Sequence, residues 1–320
     1  MLKIKGQRGI FVFSDPAGAK ACLALVKSLK NKEILIISDR KYSFYSEFNL
    51  EVHLSKEKNV KDWVDFFKPD FIFTGTSMPE KIELNFIKEA KGRSIKTISF
   101  VDHWTNFKQR FLSNQIYIYP SQIWVIDEQA KQKALLDGIP ENLIKISNNP
   151  YYEFLKKWKP SFNKEKLFKK LGLVTSSKYI LFAPEPLSTF NLQTKYGFDE
   201  VSGLKHLDTT IENLGLYNIY IIVKGHPNQN HKLFLKYIAE SKNNRIFYLK
   251  EFDLNHLIYY SEIVAGYFSN SLIEAKKMNK KVIRLLIDLK DFNLDPFDKM
   301  RIGEKVYTLS NLKDSIQKYI

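Results

Sequence analysis

The sequence contains a single cysteine and no long apolar run. Because Cys22 stands alone among 320 residues, the chain can form no internal disulfide, which fits a reducing compartment. Its apolar, helix-like surroundings predict a small core residue. No run of about 18 apolar residues occurs, and residues 1–9 lack the apolar centre of a signal peptide. We therefore expect a cytoplasmic protein, with peripheral contact at the inner face of a membrane as a further option.

Several catalytic signatures are also absent. The chain has no Gly-Lys-Ser/Thr phosphate loop, no His-Glu-x-x-His zinc motif, no Cys-x-x-Cys pair and no Gly-x-Ser-x-Gly elbow. It also lacks an Asp-x-Asp pair of the kind that holds a nucleotide-bound metal. We therefore expect no metal and no cofactor. Any leaving phosphate would then be stabilised by cationic side chains and a helix N-terminus.

Basic residues exceed acidic ones, 50 to 35, giving a net charge of +15. Such a surface favours anionic partners, which include nucleic acid, anionic membrane and phosphorylated substrates. The basic residues are dispersed, however, and no aromatic-basic recognition motif accompanies them. We expect no nucleic-acid partner, and we keep a non-enzymatic protein that binds anionic glycan or nucleic acid as an alternative.

Short apolar segments alternate with helical patterns in both halves of the chain. This alternation predicts parallel sheets with helices on both faces, and 320 residues suit two domains. The predicted strands are 9–13, 34–38, 70–74, 96–101, 122–126, 179–184, 217–223, 245–249, 262–268 and 281–286. The predicted helices are 19–29, 60–67, 80–90, 127–137, 203–214, 231–241, 253–260, 271–278 and 312–319.

The alternation pauses at Asn148–Tyr152, where we place a domain boundary. The predicted fold class is therefore α/β, with two Rossmann-like, doubly wound domains, 1–150 and 151–320, facing a cleft. The terminal helix is free in this scheme to pack back on the first domain. Ligands of such sheets bind beyond the carboxyl ends of the strands.

The strongest candidate site lies in the second half. The apolar run 221–223 ends in Lys224, Gly225 and His226, and a later strand leads into Ser269–Asn270–Ser271 at a helix start. A cation, an imidazole and a helix N-terminus with hydroxyl groups favour phosphate. Capping of the helix is the structural alternative for the serines. Glu274 and Glu185 complete the predicted donor-binding set.

Candidates in the first half follow two other strands. Asp102 and His103 end a strand, and either could be a general base. Arg110 could bind an anion or pair with a carboxylate. The loop Ser14–Gly18, with Asp15 and Gly18 as further candidates, has too few glycines for a dinucleotide fingerprint but could contact an acceptor or phosphate.

These motifs resemble those of GT-B glycosyltransferases, and more narrowly the CDP-glycerol glycerophosphotransferases and bacterial sialyltransferases of surface-polysaccharide synthesis. His226–Pro227 resembles their His-Pro motif, Ser269–Asn270–Ser271 their Ser/Thr-rich motif, and 180–184 the strand that opens their nucleotide domain. The resemblance implies a ribose contact for Glu274. In the first domain the resemblance extends only to the architecture and to Asp102–His103. The sialyltransferase motif has Gly after its acidic residue, whereas this chain has His103 after Asp102.

The resemblance implies a metal-independent transferase for capsule or lipopolysaccharide assembly. A nucleotide-activated donor would bind the second domain, and the acceptor, a glycan or a lipid-linked glycan, the first. In the catalytic step, His226 would hold the donor phosphates together with Lys224, Ser269 and Ser271 and offset the charge of the leaving group. Asp102 or His103 would deprotonate the acceptor. The alternative enzyme is a nucleotide-sugar 2-epimerase, which would convert a nucleotide sugar without any acceptor.

Overall fold

The computed structural model describes residues 4–79, 81–226, 228–241 and 244–320. The chain divides into two compact units, Met1–Phe154 and Leu155–Ile320, each with its own parallel sheet. Across the described ranges, no helix combines the length and the apolar character needed to cross a membrane.

In the described part of the first unit, seven parallel strands form one sheet in the order β3-β2-β1-β4-β5-β8-β9. Its central strands β1, β4 and β5 are buried along nearly their whole length because both faces are covered. The strands of this sheet are β1 Arg8–Phe13, β2 Glu33–Ser38, β3 His53–Leu54, β4 Phe71–Thr74, β5 Lys96–Val101, β8 Gln122–Val125 and β9 Ile144–Ile146. A separate antiparallel pair consists of β6 Leu112–Ser113 and β7 Ile116–Tyr117.

Helices cover this sheet: α1 Pro16–Ser28, α2 Val60–Phe67, α3 Ile82–Lys91 and α4 Glu128–Leu136. α5 Pro150–Leu155 follows at the boundary between the units. On one face, Trp63 and Phe67 of α2 and Phe86 of α3 pack against Ile10 and Val12 of β1. Cys22 of α1 is fully buried, as the sequence predicts, and burial raises the pKa of its thiol well above the usual range.

In the described part of the second unit, six parallel strands form a sheet in the order β12-β11-β10-β13-β14-β15. These strands are β10 Lys178–Phe182, β11 Ile219–Lys224, β12 Ile246–Leu249, β13 Ile263–Gly266, β14 Lys281–Leu285 and β15 Glu304–Val306. The helices are α6 Lys164–Leu171, α7 Gln193–Tyr196, α8 Glu200–Asn213, α9 His231–Glu240, α10 Leu254–Tyr260, α11 Asn270–Lys277 and α12 Leu309–Tyr319. The terminal helix α12 packs within this unit, against α8, β14 and β15.

The predicted fold class of two Rossmann-like parallel-sheet domains is confirmed. The sequence prediction missed β3, β9 and β15, because strands of two or three residues are too short to show a pattern. It also missed α6, whose five charged residues hide a buried stripe of Leu167, Phe168 and Leu171. Glu80, the predicted start of α3, lies outside the described residues.

Each sheet reverses its direction of growth at one place. In the first unit the chain adds β2 and β3 on one side of β1, and then places β4 on the other side. In the second unit it adds β11 and β12 on one side of β10, and then places β13 on the other. Ligands of parallel sheets bind at such places, beyond the carboxyl ends of the strands. Ser14 and Asp15 follow β1, and Glu185 follows β10.

A buried ion pair stabilises the β14 side of the second unit. Arg284 of β14 has no exposed surface, and its guanidinium is paired with the carboxylate of Asp295. Its Nε also donates to the Tyr267 carbonyl at 3.1 Å, and Nη1 to the Phe297 carbonyl at 3.4 Å. The charge is therefore surrounded by acceptors, and this offsets part of the cost of its desolvation.

We expect Asp295→Ala to lower the free energy of unfolding by about 3 kcal/mol or more, because it leaves the Arg284 charge buried and unpaired. Chemical denaturation measures this change. Asp298→Ala is the matched control, since Asp298 forms an exposed ion pair with Lys305 at 2.6 Å. It should cause little change. Equal losses in the two variants would contradict the assignment of Arg284–Asp295 as a stabilising pair.

Candidate functional site

In the first unit, the loop after β1 is fixed by a buried carboxylate. Ser14 is fully buried; its backbone N–H donates to Glu83 Oε1 at 3.1 Å and its hydroxyl to Asp39 Oδ2 at 3.1 Å. The Ser14 carbonyl accepts the hydroxyl of Tyr42 at 2.8 Å. Ser14, predicted as a ligand contact, therefore joins three segments of its own unit.

Asp15 occupies the N-cap position of α1, but its side chain makes no capping bond. Instead, Oδ2 accepts the backbone N–H of Met78 at 3.4 Å, and the Asp15 N–H donates to Ser77 Oγ at 3.0 Å. Burial raises the pKa of Asp15, and the negative charge of Asp102 raises it further, against the lowering effect of Arg110. The loops after β1 and β4 thus hold Asp15 within electrostatic range of both residues.

Gly18, the remaining candidate of this loop, serves close packing. A Cβ atom at Gly18 would lie 3.3 Å from Gly75 Cα, so the backbone of α1 approaches the loop after β4 directly. Gly18 is also buried within α1. Its backbone contact accounts for the glycine without a ligand.

Asp102 and Arg110 lie together, with Oδ1 and Nη1 4.0 Å apart and each side chain 11% exposed. Arg110 Nη1 also donates to the carbonyl and the hydroxyl of Thr76, at 3.2 Å and 3.3 Å. Among the described residues, Arg110 Nε has no hydrogen-bond partner. Of the two roles predicted for Arg110, the structure therefore contains the pairing with a carboxylate, and Nε remains a donor that an anion could use.

His103 follows Asp102 and lies 2.9 Å, at Nδ1, from the Thr105 hydroxyl. Burial lowers the pKa of His103, although the Asp102 charge acts in the opposite direction. The ring is therefore predominantly neutral at neutral pH, the form in which an imidazole can accept a proton.

Glu83 is a buried residue of this region that the sequence prediction missed. It is 2% exposed and accepts hydrogen bonds from the Ser14 N–H and the Ser77 hydroxyl. Burial raises its pKa to about 7. The signal was present in the sequence, because Glu83 shares one face of α3 with Phe86, Ile87 and Ala90 at helical spacing.

In the second unit, the strand end that carries Lys224 is occupied by backbone contacts. Lys224 Nζ donates to the carbonyls of Lys250 and Gly225, at 2.9 Å and 3.1 Å. A Cβ atom at Gly225 would lie 2.1 Å from the hydroxyl oxygen of Tyr248, so any side chain at this position would displace the Tyr248 ring. The ammonium group thus joins the C-terminal ends of β11 and β12. Its positive charge lies beside the loop that follows β11.

His226 presents one defined donor. Its Nδ1 accepts the backbone N–H of Asn228 at 3.1 Å, so a neutral ring carries its proton on Nε2. Desolvation, and then the charge of Lys224, lowers the pKa of His226. His226 can therefore donate to a phosphate oxygen from Nε2 without being charged. Pro227, the second residue of the predicted motif, lies outside the described residues.

The predicted Ser-Asn-Ser segment begins α11. Ser269 is the N-cap, and its hydroxyl oxygen accepts the Ser271 N–H at 3.3 Å and donates to Ser271 Oγ at 3.1 Å. Asn270 is exposed and is the first residue of the helix, one residue earlier than predicted. Glu274 is 7% exposed on the buried face of α11. One serine therefore caps the helix while the second stands beside its N-terminal N–H groups.

Glu185 lies at the switch point between β10 and β13. Its Oε1 accepts the backbone N–H of Phe268 at 2.6 Å, which joins the loop after β10 to the segment that begins α11. Burial raises the pKa of Glu185 to about 8, despite opposing hydrogen bonds and the charge of Arg284. Within the described ranges, its buried Oε2 has no hydrogen-bond partner.

A second buried network at this edge was not predicted. Glu200, the first residue of α8, is fully buried and accepts the Ser188 N–H at 3.0 Å and the Gln229 amide group. These contacts join the loops after β10 and β11. Among the described residues, Gln229 Oε1 is buried without a hydrogen-bond partner. In the same ranges, no three His, Cys, Asp or Glu side chains are grouped as metal ligands would be.

Solved structures resemble this chain over nearly its whole length. The UDP-GlcNAc 2-epimerase of Methanocaldococcus jannaschii is 16% identical, with 97% of this chain and 92% of that chain covered and a TM-score of 0.64. A putative UDP-N-acetylglucosamine 2-epimerase from Listeria monocytogenes is 13% identical, with coverage of 98% and 88% and a TM-score of 0.70. The Neisseria meningitidis UDP-GlcNAc 2-epimerase, solved with UDP-GlcNAc bound, is 14% identical, with coverage of 97% and 90% and a TM-score of 0.64.

No protein-family profile matches the sequence, and no curated protein matches it either. At the identities of the solved structures, the likeness establishes the fold, which these epimerases share with the GT-B enzymes. The prediction of a glycosyltransferase was wrong, because the similar structures described above are UDP-GlcNAc 2-epimerases, which are isomerases. The narrower resemblance to glycerophosphotransferases and sialyltransferases is not supported.

We expect Glu83 to make stability depend on pH. Its folded pKa of about 7 lies above the usual value of 4.5, so its stabilising contribution is complete below about pH 4.5 and is lost as the pH rises through about 7. The Glu83→Gln side chain remains neutral at every pH. The free energy of unfolding of this variant, relative to that of the wild type, should therefore rise by about 3 kcal/mol between pH 4.5 and pH 8.

Urea denaturation across this pH range tests the expectation. Glu89→Gln, at a partly exposed position of the same helix, is the control and should follow the wild-type pH dependence. If Glu83→Gln and the wild type respond identically to pH, the raised pKa of Glu83 is refuted.

Proposed function

We propose that this protein is a nucleotide-sugar 2-epimerase that acts on a UDP-sugar. The observation that carries the proposal is the similarity of fold to UDP-GlcNAc 2-epimerases over 97% and 98% of the chain. Among those relatives, structures with UDP-GlcNAc or UDP have been solved. Such an enzyme needs no acceptor, so the expected glycan or lipid-linked acceptor is not part of the proposal.

The proposed nucleotide site is in the second unit. His226 Nε2–H and the Ser271 hydroxyl are suitable donors for phosphate oxygens, and the start of α11 adds backbone N–H groups and the positive end of a helix dipole. The ammonium group of Lys224 bonds to backbone carbonyls. Lys224 therefore supports the site through its positive charge and not through a direct bond to the phosphates. Glu274 is the candidate for a ribose contact.

Inversion at C2 requires a proton to leave one face of the carbon and another to arrive on the opposite face. The proposed acid-base residues are in the first unit. Asp102, 4.0 Å from the Arg110 guanidinium, and the neutral His103 are the candidate bases. Asp15, whose pKa is raised by burial, is the candidate acid. Metal independence also belongs to this proposal, and activity after chelation of divalent cations tests it.

Incubation with UDP-GlcNAc in D2O tests the reaction. We expect the 2-epimer to form without an acceptor and deuterium to appear at C2, both followed by proton NMR. Asp102→Asn should lose about 100-fold or more in rate, because an amide cannot accept the proton. Asp65→Asn, at an exposed ion pair of the same unit, is the control and should retain full activity. A folded protein that inverts no UDP-sugar would refute the proposal.

Titration with UDP tests the phosphate contact separately. His226→Ala should weaken UDP binding about tenfold, since one hydrogen bond to a charged group contributes about 1.4 kcal/mol or more. His206→Ala, which removes a partly exposed histidine of α8, is the matched control and should leave the affinity unchanged. If both variants bind UDP as the wild type does, His226 has no role at the phosphates.

A further inference from the structure

The position of Glu185 connects it directly to the start of α11. Its Oε1 accepts the N–H of Phe268, the residue immediately before the N-cap Ser269. The carboxyl group thus lies beside the N-terminus at which the proposed function places the nucleotide phosphates. A carboxylate in this position would repel a phosphate, whereas a neutral carboxylic acid would not.

The second carboxyl oxygen of Glu185 supports the neutral form. Oε2 is buried, and no donor among the described residues bonds to it. An ionised oxygen without a partner is costly to bury, whereas a protonated oxygen becomes a hydrogen-bond donor. Burial accordingly raises the pKa of Glu185 to about 8. At neutral pH the proton on Oε2 makes this oxygen a hydrogen-bond donor.

Several titratable groups on neighbouring elements lie near Glu185. Tyr267 after β13, Tyr196 of α7 and Arg284 of β14 interact electrostatically with Glu185. Asp199 and Glu200, at the start of α8, interact with Tyr267. Burial raises the pKa of both tyrosines, so they stay neutral. The Arg284 guanidinium is paired with Asp295.

We propose that Glu185 binds the nucleotide in its protonated form, donating from Oε2 to a phosphate oxygen at the start of α11, so that binding takes up a proton in mildly alkaline solution. The inference rests on the proposed function for the location of the nucleotide. It adds the ionisation state that the site requires. The carboxyl group then acts as a donor that complements the helix N-terminus rather than as a charge that opposes it.

Isothermal titration of UDP at about pH 7 and about pH 9 tests the proposal. Wild-type affinity should fall about tenfold over this range, because at pH 9 about nine-tenths of the free carboxyl groups have lost their proton. In paired buffers of different ionisation enthalpy, the wild type should show proton uptake near pH 8. Glu185→Gln keeps an acceptor for Phe268 N–H and a donor for phosphate, so its affinity should not show this tenfold fall.

Glu240→Gln removes the same charge from an exposed position at the end of α9 and should retain the wild-type pH dependence. Titration of UDP itself affects all three proteins alike, so the difference between them isolates Glu185. Equal pH dependence in the wild type and Glu185→Gln would overturn the inference, as would the absence of proton uptake by the wild type, which needs no variant.

The test is independent of turnover. Proton-coupled UDP binding by a protein that inverts no sugar would support the role of Glu185 and refute the epimerase. The opposite result is also possible: the protein inverts UDP-GlcNAc, and Glu185→Gln leaves its UDP affinity unchanged at both pH values. That result would support the epimerase and refute the role of Glu185.

Discussion

The loops beyond the strand ends depend on buried or partly buried glutamates for hydrogen-bond acceptors. Backbone N–H groups in such loops have left the sheet ladder and need a new partner when they are buried. Glu83 supplies one to Ser14, Glu185 to Phe268 and Glu200 to Ser188. In each case the glutamate and the N–H belong to different segments of the same unit. Carboxyl groups therefore position the loops that carry the candidate site residues. Burial favours the neutral form of Glu83 and Glu185, and Glu200 accepts hydrogen bonds from several donors.

Much of the fold follows from the sequence because its strands and helices have distinct apolar patterns. The helix Val60–Phe67 and the strand Lys96–Val101 have the boundaries that the pattern predicts. The edge strand Glu304–Val306 does not show such a pattern, since a three-residue strand is defined by pairing with β14 and not by its own composition. The alternation of strands and helices predicts parallel sheets, but the positions of the two switch points follow only from the strand order in the structure.

The places of the candidate residues at strand ends and at a helix start could be predicted from the sequence, whereas their hydrogen-bond partners could not. Strand ends and a helix start identify His226, Ser269 and Asp102, because these features are local in sequence. The partners of Lys224 and Glu185 are not local: an ammonium held by the Lys250 carbonyl, and a carboxyl group that accepts from Phe268. The activity was misassigned for a related reason. Epimerases and GT-B transferases share the same fold, and short motifs at the same strand ends do not separate isomerisation from transfer.

The inaccessible thiol of Cys22 has a practical consequence. It is the only cysteine of the chain, it is fully buried in α1, and its high pKa keeps it in the unreactive thiol form. A maleimide dye should therefore react only with cysteines introduced at surface positions, and the native residue need not be replaced. Fluorophores attached in this way, one to each unit, would report their separation in solution as a nucleotide is added.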